Sequence, residues 1–353
     1  MQRLNETIGR IETIDPSLTA RTQDRLDHLT KPHGSLGRLE SLAKQIVGIT
    51  RCDAPRTANK VIFTLAGDHG IVQEGVSAFP PEVTAQMVRN FLAHGAGINV
   101  LARHVGARVV VVDMGVAADL SPHPELIARK TGYGTRNMLR GPAMTKEEAL
   151  QSIETGIEVF EAEFQRGVDL AGTGEMGIGN TTASSAIAAV LTGRAVEDVT
   201  GRGTGIDDRT YAHKVDVIKK AIAVNRPDPD DGLDVLHKLG GYEIGGLVGV
   251  ILAAASNRVP ILIDGFISGA AALLAYQLEP KAREYMIAAH RSVERGHRII
   301  LDHLGLEPLL DLDLRLGEGT GAALGMSLVE AAVKILTEMA TFQSASVSER
   351  MKR

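Results

Sequence analysis

Short apolar runs recur along the chain and alternate with longer stretches of helical periodicity. Five runs predict buried strands, which cover residues 61–66, 108–112, 168–172, 260–263 and 286–289. Strands that are apolar throughout, rather than alternately apolar and polar, are typical of a parallel sheet with helices on both faces. The pattern therefore predicts an α/β fold of the Rossmann-like type.

Helical periodicity fills most of the segments between these runs. The predicted helices cover residues 84–101, 146–164, 183–191, 208–224, 245–255, 268–277 and 322–337. Residues 1–50 carry two further helical stripes, separated by a turn at 31–35. The amino-terminal segment is thus helical and lacks the strand signals of the central segment.

Glycine turns follow four of the predicted strands, at Gly67, Gly115, Gly172 and Gly265. In a parallel sheet the carboxyl ends of the strands meet at one edge, and ligands bind in the crevice beyond that edge. We therefore expect the functional site to lie among these turns.

Two glycine-rich segments each contain one glutamate. Glu175 lies in residues 170–182, and Glu318 lies in residues 314–323. Both segments are predicted to be loops that leave a strand and enter a helix. Such a loop can bind a phosphate through its backbone N–H groups, and a carboxylate held there can transfer protons. The pair indicates an enzyme that acts on a phosphorylated small molecule.

The first glycine-rich segment also matches the dinucleotide-binding pattern Gly172-x-Gly174-x-x-Gly177. That motif requires a second strand ending in an acid about 20 residues further on. Glu197 and Asp198 occupy this region, but no apolar strand precedes them. A single phosphate is therefore favoured over a nicotinamide cofactor. A NAD-dependent oxidoreductase, a non-catalytic nucleotide sensor and a purely structural tight turn remain alternatives.

Each candidate side chain also has a plainer interpretation. Glu318 can be a solvated loop residue, and Glu175 can be an acid favoured by a helix N-terminus. Lys214 can be a surface lysine with a buried stem, although a lysine at this position can also reach a phosphate. Asp68 and His69, which end the first strand, form either a polar site or a local turn.

Composition excludes several classes of protein. The formal charge of −5, an aromatic content of 3% and the absence of Trp argue against a nucleic-acid partner. Cys52 is the only cysteine, and the chain has no His-x-x-x-His spacing, so we expect no disulfide and no structural metal. The most apolar region, 245–278, is interrupted by Asn257, Arg258 and Asp264. Because no signal segment is evident either, we expect a cytoplasmic protein without a membrane span.

The motifs, taken in order, resemble one known family: the nicotinate-nucleotide–dimethylbenzimidazole phosphoribosyltransferases of cobalamin lower-ligand assembly. The resemblance covers nearly the whole chain. It is carried by Ala66-Gly67-Asp68-His69-Gly70, by Gly174-Glu175-Met176-Gly177-Ile178-Gly179-Asn180-Thr181-Thr182, by Arg315-Leu316-Gly317-Glu318-Gly319-Thr320-Gly321, and by residues 31–40, 83–88, 214–217 and 262–266. Each motif is weak alone, whereas the ordered combination is specific.

The resemblance implies a reaction. The 5-phosphoribosyl group of nicotinate mononucleotide is transferred to 5,6-dimethylbenzimidazole, which gives α-ribazole 5′-phosphate and nicotinate. It implies no metal and no cofactor. It further implies a homodimer with a small helical domain built from both chain ends. On this basis residues 1–58 start the small domain, residues 59–305 form the large α/β domain, and residues 306–353 carry the catalytic loop and complete the small domain.

Site residues follow from the same resemblance. Glu318 matches the catalytic glutamate, and Glu175 matches a second active-site carboxylate. The positions that match phosphate or ribose contacts are Gly174, Met176, Gly177, Ile178, Gly179, Asn180, Thr181, Gly203 and Lys214. The positions that match the benzimidazole pocket are Phe79, Met87 and Leu316.

Overall fold

The computed structural model describes residues 1–348 of the 353-residue chain. The last five residues of the predicted segment 306–353 lie outside the described residues. The strands are β1 (Lys60–Gly67), β2 (Ala107–Gly115), β3 (Leu126–Ala128), β4 (Leu170–Met176), β5 (Ile261–Ile263) and β6 (Met286–Ala288). They form one six-stranded sheet in the order β3-β2-β1-β4-β5-β6, and every neighbouring pair is parallel.

Helices connect the strands and cover both faces of the sheet. They are α1 (Gln2–Gly9), α2 (Pro16–Asp27), α3 (Arg38–Thr50), α4 (Glu82–Leu92), α5 (Gly97–Val105), α6 (Lys146–Gln165), α7 (Asn180–Thr192), α8 (Val196–Val199), α9 (Asp208–Asn225), α10 (Gly232–Leu239), α11 (Tyr242–Ser256), α12 (Phe266–Leu278), α13 (Arg295–Leu304) and α14 (Thr320–Glu338). The predicted α/β fold with a parallel sheet is confirmed.

Strand β1 shows why the sheet needs helices on both sides. All eight of its residues are buried. Val61, Phe63 and Leu65 point into a core shared with α6, α7, α11 and α12. Ile62 and Ala66 point into a second core on the opposite face, shared with α3, α4, α5 and α14. Because successive side chains alternate between faces, an apolar strand must be covered twice.

Two details of the predicted secondary structure were wrong. The predicted helix over 84–101 is two helices, α4 and α5, because His94 takes a left-handed φ of 58° and Gly95 follows it. The predicted strand 168–172 continues as β4 to Met176, so Thr173, Gly174 and Glu175 lie in the sheet rather than in a loop. Glycine is depleted in strands, which made this stretch look like a loop.

Both chain ends contribute to one helical layer. Helices α2 and α3 pack together, and α3 packs on α14. Arg25 donates to the Leu336 carbonyl at 2.8 Å, and the Thr30 N–H donates to the Ala340 carbonyl at 3.0 Å. Helix α1 instead contacts α6 and α11 on the other face of the sheet. The division at residues 58 and 305 stays a prediction.

Helix α14 is unusually long and apolar. Among the described residues it is the one helix whose length and composition would allow it to cross a membrane. Its buried side chains, which include Ala322, Met326 and Val333, pack on the sheet and on α3 and α5. This packing is that of a core helix.

The tight crossing of α6 and α11 yields a stability prediction. A methyl group on Gly156 would overlap the backbone carbonyl of Gly246, and one on Gly249 would overlap the carbonyl of Ile153. We expect Gly156→Ala to lower the free energy of unfolding by about 1–3 kcal/mol, because the helices must separate. Chemical denaturation measures this loss.

The matched control for this prediction is Gly9→Ala. Gly9 lies at the end of α1 and has open space where a Cβ would be added. We expect its free energy of unfolding to change by no more than about 0.5 kcal/mol. Equal stability of the two variants would contradict the close helix crossing.

Candidate active site

The site lies where the strand order reverses. Strands β1 and β4 are neighbours in the centre of the sheet, and their chains leave in opposite directions. In sheets of this order, ligands bind in the crevice at that point. Gly67 ends β1, and Glu175 and Met176 end β4, with Leu65 opposite Glu175 and Ala66 opposite Met176.

Glu318 enters this crevice from the loop before α14. Its side chain is buried, and Oε2 accepts a hydrogen bond from the Ile98 N–H in the first turn of α5 at 3.1 Å. Its backbone carbonyl accepts from the Thr64 hydroxyl at 3.0 Å. Burial raises the pKa of the Glu318 carboxyl, while the Ile98 hydrogen bond opposes the shift. A partly desolvated carboxylate of this kind is suited to accept a proton.

The backbone around Glu318 is strained. Gly317, Glu318 and Gly319 have consecutive φ values of 79°, 65° and 97°. A left-handed conformation is unfavourable for a residue with a Cβ, and it persists only where the surroundings hold it. Here the Thr64 hydroxyl and the Asp264 carboxylate hold it, the latter by accepting from the Gly319 N–H at 3.2 Å and the Ala322 N–H at 2.9 Å.

Glu175 lies beside the Glu318 loop. Its Oε2 accepts a hydrogen bond from the Asn180 side-chain amide, and a Cβ added to Gly317 would collide with Oε1. Burial raises the pKa of Glu175 to about 8, and the negative charges of Asp264 and Glu243 add to the shift. Glu175 is therefore largely protonated at neutral pH, and it lies at the end of β4 rather than at a helix N-terminus, which was the plainer of its two predicted interpretations.

Gly172 and Gly174 serve packing at this site. A side chain on Gly172 would meet Ile62, Ala322 and Met326, and one on Gly174 would overlap the Glu318 carbonyl. The expectation that both lie in a phosphate loop was wrong as to secondary structure. Their lack of a Cβ lets the Glu318 loop approach the sheet. A phosphate or ribose contact for Gly174 stays a prediction.

Residues 176–180 form the connection from β4 to α7. Met176 is half-buried, and Gly177 packs on the Gly67 carbonyl. The Ile178 N–H donates to the Thr84 hydroxyl at 3.1 Å, which ties the connection to α4. Gly179 has a φ of 94° and precedes Asn180, the first residue of α7. The connection thus places the N-terminus of α7 beside Glu175.

Lys214 and its neighbours form a second part of the site. Its ammonium group is buried and donates to the Thr181 hydroxyl at 2.9 Å. A Cβ added to Gly203 would lie 2.8 Å from that hydroxyl and 3.4 Å from the Lys214 Nζ. Burial lowers the pKa of Lys214 to about 8, and the Glu294 carboxylate opposes the shift. The Lys214 ammonium thus lies beside the first turn of α7, and an anion bound there would contact both the ammonium and the helix N-terminus.

The three residues predicted to line the base pocket lie in two parts of the structure. Leu316 is exposed and lies against Gly97, where an added Cβ would be 2.8 Å from its Cδ2 and 3.4 Å from Glu318 Oε2. Phe79 is also exposed, just before α4, and Met87 is half-buried within α4. Leu316 is thus next to Glu318, while Phe79 and Met87 belong to the α4 side of the crevice.

Sequence reasoning missed Asp264 and Glu243 as parts of the site. Glu243 is fully buried, and its Oε1 lies 2.5 Å from the His69 Nε2. Burial opposes protonation of His69, but the Glu243 charge and hydrogen bond, together with the Asp68 charge, outweigh burial and raise the His69 pKa. Both acids carried a signal, since each is a lone charge within an otherwise apolar strand or helix.

Comparison with known proteins decides the family. A phosphoribosyltransferase family model matches residues 11–347. A protein from Roseiflexus sp. (strain RS-1), named nicotinate-nucleotide–dimethylbenzimidazole phosphoribosyltransferase, is 60% identical over 352 residues and covers 100% of both chains. A protein of the same name from Geobacter metallireducens is 59% identical over 349 residues, with 99% of each chain covered. The chain belongs to this phosphoribosyltransferase family.

A solved structure agrees with the family and the fold. The crystal structure of the enzyme of the same name from Thermus thermophilus superposes with a TM-score of 0.91 at 43% identity. It covers 96% of the present chain, which in turn covers all of it. The predicted family and enzyme class are confirmed, and these comparisons do not support the alternative of an NAD-dependent oxidoreductase.

The negative charges of Asp264 and Glu243 near Glu175 give a prediction for the titration of Glu175. We expect the Glu175 carboxyl to titrate near pH 8, and to titrate lower in Asp264→Asn because the variant removes a nearby negative charge. Carbon-13 NMR of labelled glutamate side chains measures both midpoints.

Asp311→Asn is the matched control for this titration. Asp311 is exposed and pairs with Arg291 at the surface. Its removal should leave the Glu175 midpoint where it is. If Asp264→Asn also leaves it unchanged, the Asp264 charge does not act on Glu175.

Proposed function

We propose that the chain transfers the 5-phosphoribosyl group of nicotinate mononucleotide to 5,6-dimethylbenzimidazole, giving α-ribazole 5′-phosphate and nicotinate. The family supports this reaction, and the relatives carry it in their names. The observation that carries the proposal is the buried Glu318 carboxyl, which faces the start of α5 beside the exposed Leu316. A planar heterocycle resting on Leu316 would present its ring N–H to that carboxylate.

The chemistry follows from the residues in place. One ring nitrogen of the benzimidazole forms a bond to the anomeric carbon. The bond from that carbon to the pyridinium nitrogen breaks, and nicotinate leaves with the bonding electron pair. The other ring nitrogen gives its proton to Glu318. Attack on the face opposite the leaving group inverts the anomeric centre, from a β donor to an α product, through an oxocarbenium-like sugar.

The second carboxyl group has a different protonation state. Because the pKa of Glu175 is about 8, it is mostly neutral at pH 7 and adds little negative charge beside Glu318. The Asn180 amide occupies its Oε2, so its proton is free to lie on Oε1, toward Gly317. We infer that Glu175 donates a hydrogen bond within the site while Glu318 accepts the proton.

Phosphate binding falls to the other part of the site. We infer that Lys214, Thr181 and the N-terminal turn of α7 hold the 5′-phosphate, with Gly203 close by. We also infer that residues along 174–180 contact the phosphate or the ribose. We infer that the benzimidazole binds against Phe79, Met87 and Leu316. Anchoring the phosphate fixes the sugar relative to Glu318, and alignment of this kind contributes a large part of enzymatic rate enhancement.

We also propose a cytoplasmic homodimer that binds no nucleic acid. The charge and composition support the last point. Several large apolar side chains are exposed, among them Phe79, Val293, Leu312 and Leu316. Exposed apolar groups can form a contact surface, and a second copy of the chain is the proposed occupant.

The first functional test replaces Glu318, the proposed general base. We expect Glu318→Gln to bind nicotinate mononucleotide with near-normal affinity and to lose roughly 10²–10⁴-fold in kcat, because an amide cannot accept the proton. Release of nicotinate, followed by chromatography, measures kcat. Glu338→Gln, an exposed change at the other end of α14, serves as the control and should keep full activity. Wild-type turnover by Glu318→Gln would reject Glu318 as the base.

A separate test concerns the phosphate. Lys214→Ala should weaken binding of the nucleotide by about 10-fold or more and leave binding of free benzimidazole nearly unchanged, since a charged hydrogen bond is lost. Calorimetry with each substrate separates the two. Lys219→Ala, on the exposed side of α9, is the control. Equal losses for both substrates would refute a phosphate contact.

The same lysine sets a dependence on pH. The pKa of Lys214 is lowered to about 8, so the ammonium is charged below that pH and neutral above it. We expect the wild-type kcat/KM for nicotinate mononucleotide to fall as the pH rises above about 8. The fall should be smaller in Lys214→Ala than in Lys219→Ala, because only the ionisation of Glu175, whose pKa is also about 8, then remains. An equal fall in both variants would show that Lys214 does not contribute to it.

A further inference from the structure

One buried carboxylate beside the proposed phosphate site is only partly satisfied. Glu294 is 9% exposed and directly precedes α13. Its Oε1 accepts a hydrogen bond from the Gly203 N–H at 2.9 Å, whereas its buried Oε2 has no hydrogen-bond partner among residues 1–348. A buried carboxylate oxygen without a donor is costly, because it has lost its water without replacement.

The surroundings keep the Glu294 carboxylate in this position. The Glu294 N–H donates to the Ser292 hydroxyl at 3.3 Å, which fixes the backbone. A Cβ on Gly201 would overlap Oε2, so the glycine leaves the space that the carboxylate fills. Replacing Gly201 with any other residue would displace the carboxylate. Gly201, Gly203 and Ser292 therefore fix the position of the Glu294 carboxylate.

Glu294 also lies beside a cavity, and its charge acts on a buried lysine. It lines a cavity of about 400 Å³, together with Gly201, Gly203, Arg295 and Arg315. Gly203 connects it to the phosphate part of the site, since the same glycine lies against Thr181 and Lys214. The Glu294 charge acts directly on Lys214. The carboxylate is thus within reach of a ligand whose phosphate rests on Lys214.

The chemistry of nicotinate mononucleotide limits which of its groups can bind to Glu294 Oε2. A carboxylate accepts hydrogen bonds and repels anions. In nicotinate mononucleotide the phosphate and the pyridine carboxylate are anionic, and the pyridinium nitrogen carries no proton. The 2′-OH and 3′-OH of the ribose are its hydrogen-bond donors. The benzimidazole has a single N–H, which the proposed mechanism gives to Glu318.

We propose that Glu294 is a positioning residue that accepts a hydrogen bond from a ribose hydroxyl of the nucleotide. This inference rests on the proposed function. The carboxylate orients the sugar and selects a ribose over a deoxyribose. One oxygen stays on the Gly203 N–H, and the other accepts from the ribose hydroxyl.

The test compares three substrates in the wild type and in two variants. Nicotinate mononucleotide and its 2′-deoxy and 3′-deoxy analogues are offered with 5,6-dimethylbenzimidazole, and kcat/KM is measured for each. The wild type should discriminate against at least one analogue by about 10- to 150-fold, as expected for a hydrogen bond to a charged group. In Glu294→Ala this ratio should fall to within about threefold of one, because that variant lacks the acceptor. Glu294→Gln should give an intermediate ratio.

Calorimetric binding of the three nucleotides keeps the test informative if turnover becomes too slow. Asp302→Ala, on the exposed face of α13, removes the same charge away from the cavity and should keep the wild-type ratio. An unchanged ratio in Glu294→Ala would overturn the assignment. Tighter binding of all three nucleotides by Glu294→Ala would also overturn it, by showing that the carboxylate competes with the phosphate for Gly203.

Failure of this inference is distinct from failure of the proposed function. If the wild type releases no nicotinate from nicotinate mononucleotide and a benzimidazole, the proposed function fails. If it does so and its selectivity for ribose does not depend on Glu294, only the role of Glu294 is lost.

Discussion

The Asp264 carboxylate at the N-terminus of α14 is the contact on which the site depends. It accepts from the Gly319 and Ala322 N–H groups, while its own N–H donates to the Thr173 hydroxyl at 3.0 Å. The cap therefore comes from the end of a neighbouring strand rather than from the residue that precedes the helix. It ties the helix that follows Glu318 to β4 and β5. Without it, nothing equally strong would oppose the strain of three consecutive left-handed residues.

Four of the buried carboxyl groups around this point are accommodated in different ways. Glu243 pairs with His69, and Asp264 caps a helix and lies 3.7 Å from His290. Glu318 accepts from the first turn of α5. Glu175, which has only the Asn180 amide, takes up a proton more readily. Since an unpaired buried charge is far more costly than a neutral acid, the poorly paired Glu175 favours its neutral form.

Sequence reasoning succeeds here where the signal is local. The sheet was predictable because its strands are buried on both faces, and Glu175 and Glu318 stood out because glycines surround them. The role of the glycines in β4 could not be predicted from the sequence. These glycines let Glu318 approach the strand, and Glu318 is 144 positions beyond Gly174. The Asp264 cap and the protonation state of Glu175 likewise depend on groups that only folding brings together. The short strand β3 and helices α2, α8, α10 and α13 lacked a sufficient pattern.

The contact between α3 and α14 has a consequence for biosynthesis. Helices α2 and α3 leave the ribosome about 270 residues before α14 begins. At about 5–20 residues per second, synthesis reaches α14 on the order of 15–50 s after α2 and α3 have emerged, and only then can α14 cover their apolar faces. During this interval the nascent chain exposes Leu26, Leu42 and Ile46, which are buried in the finished protein. A chain interrupted before residue 320 would lack this cover, so incomplete translation products are prone to aggregate.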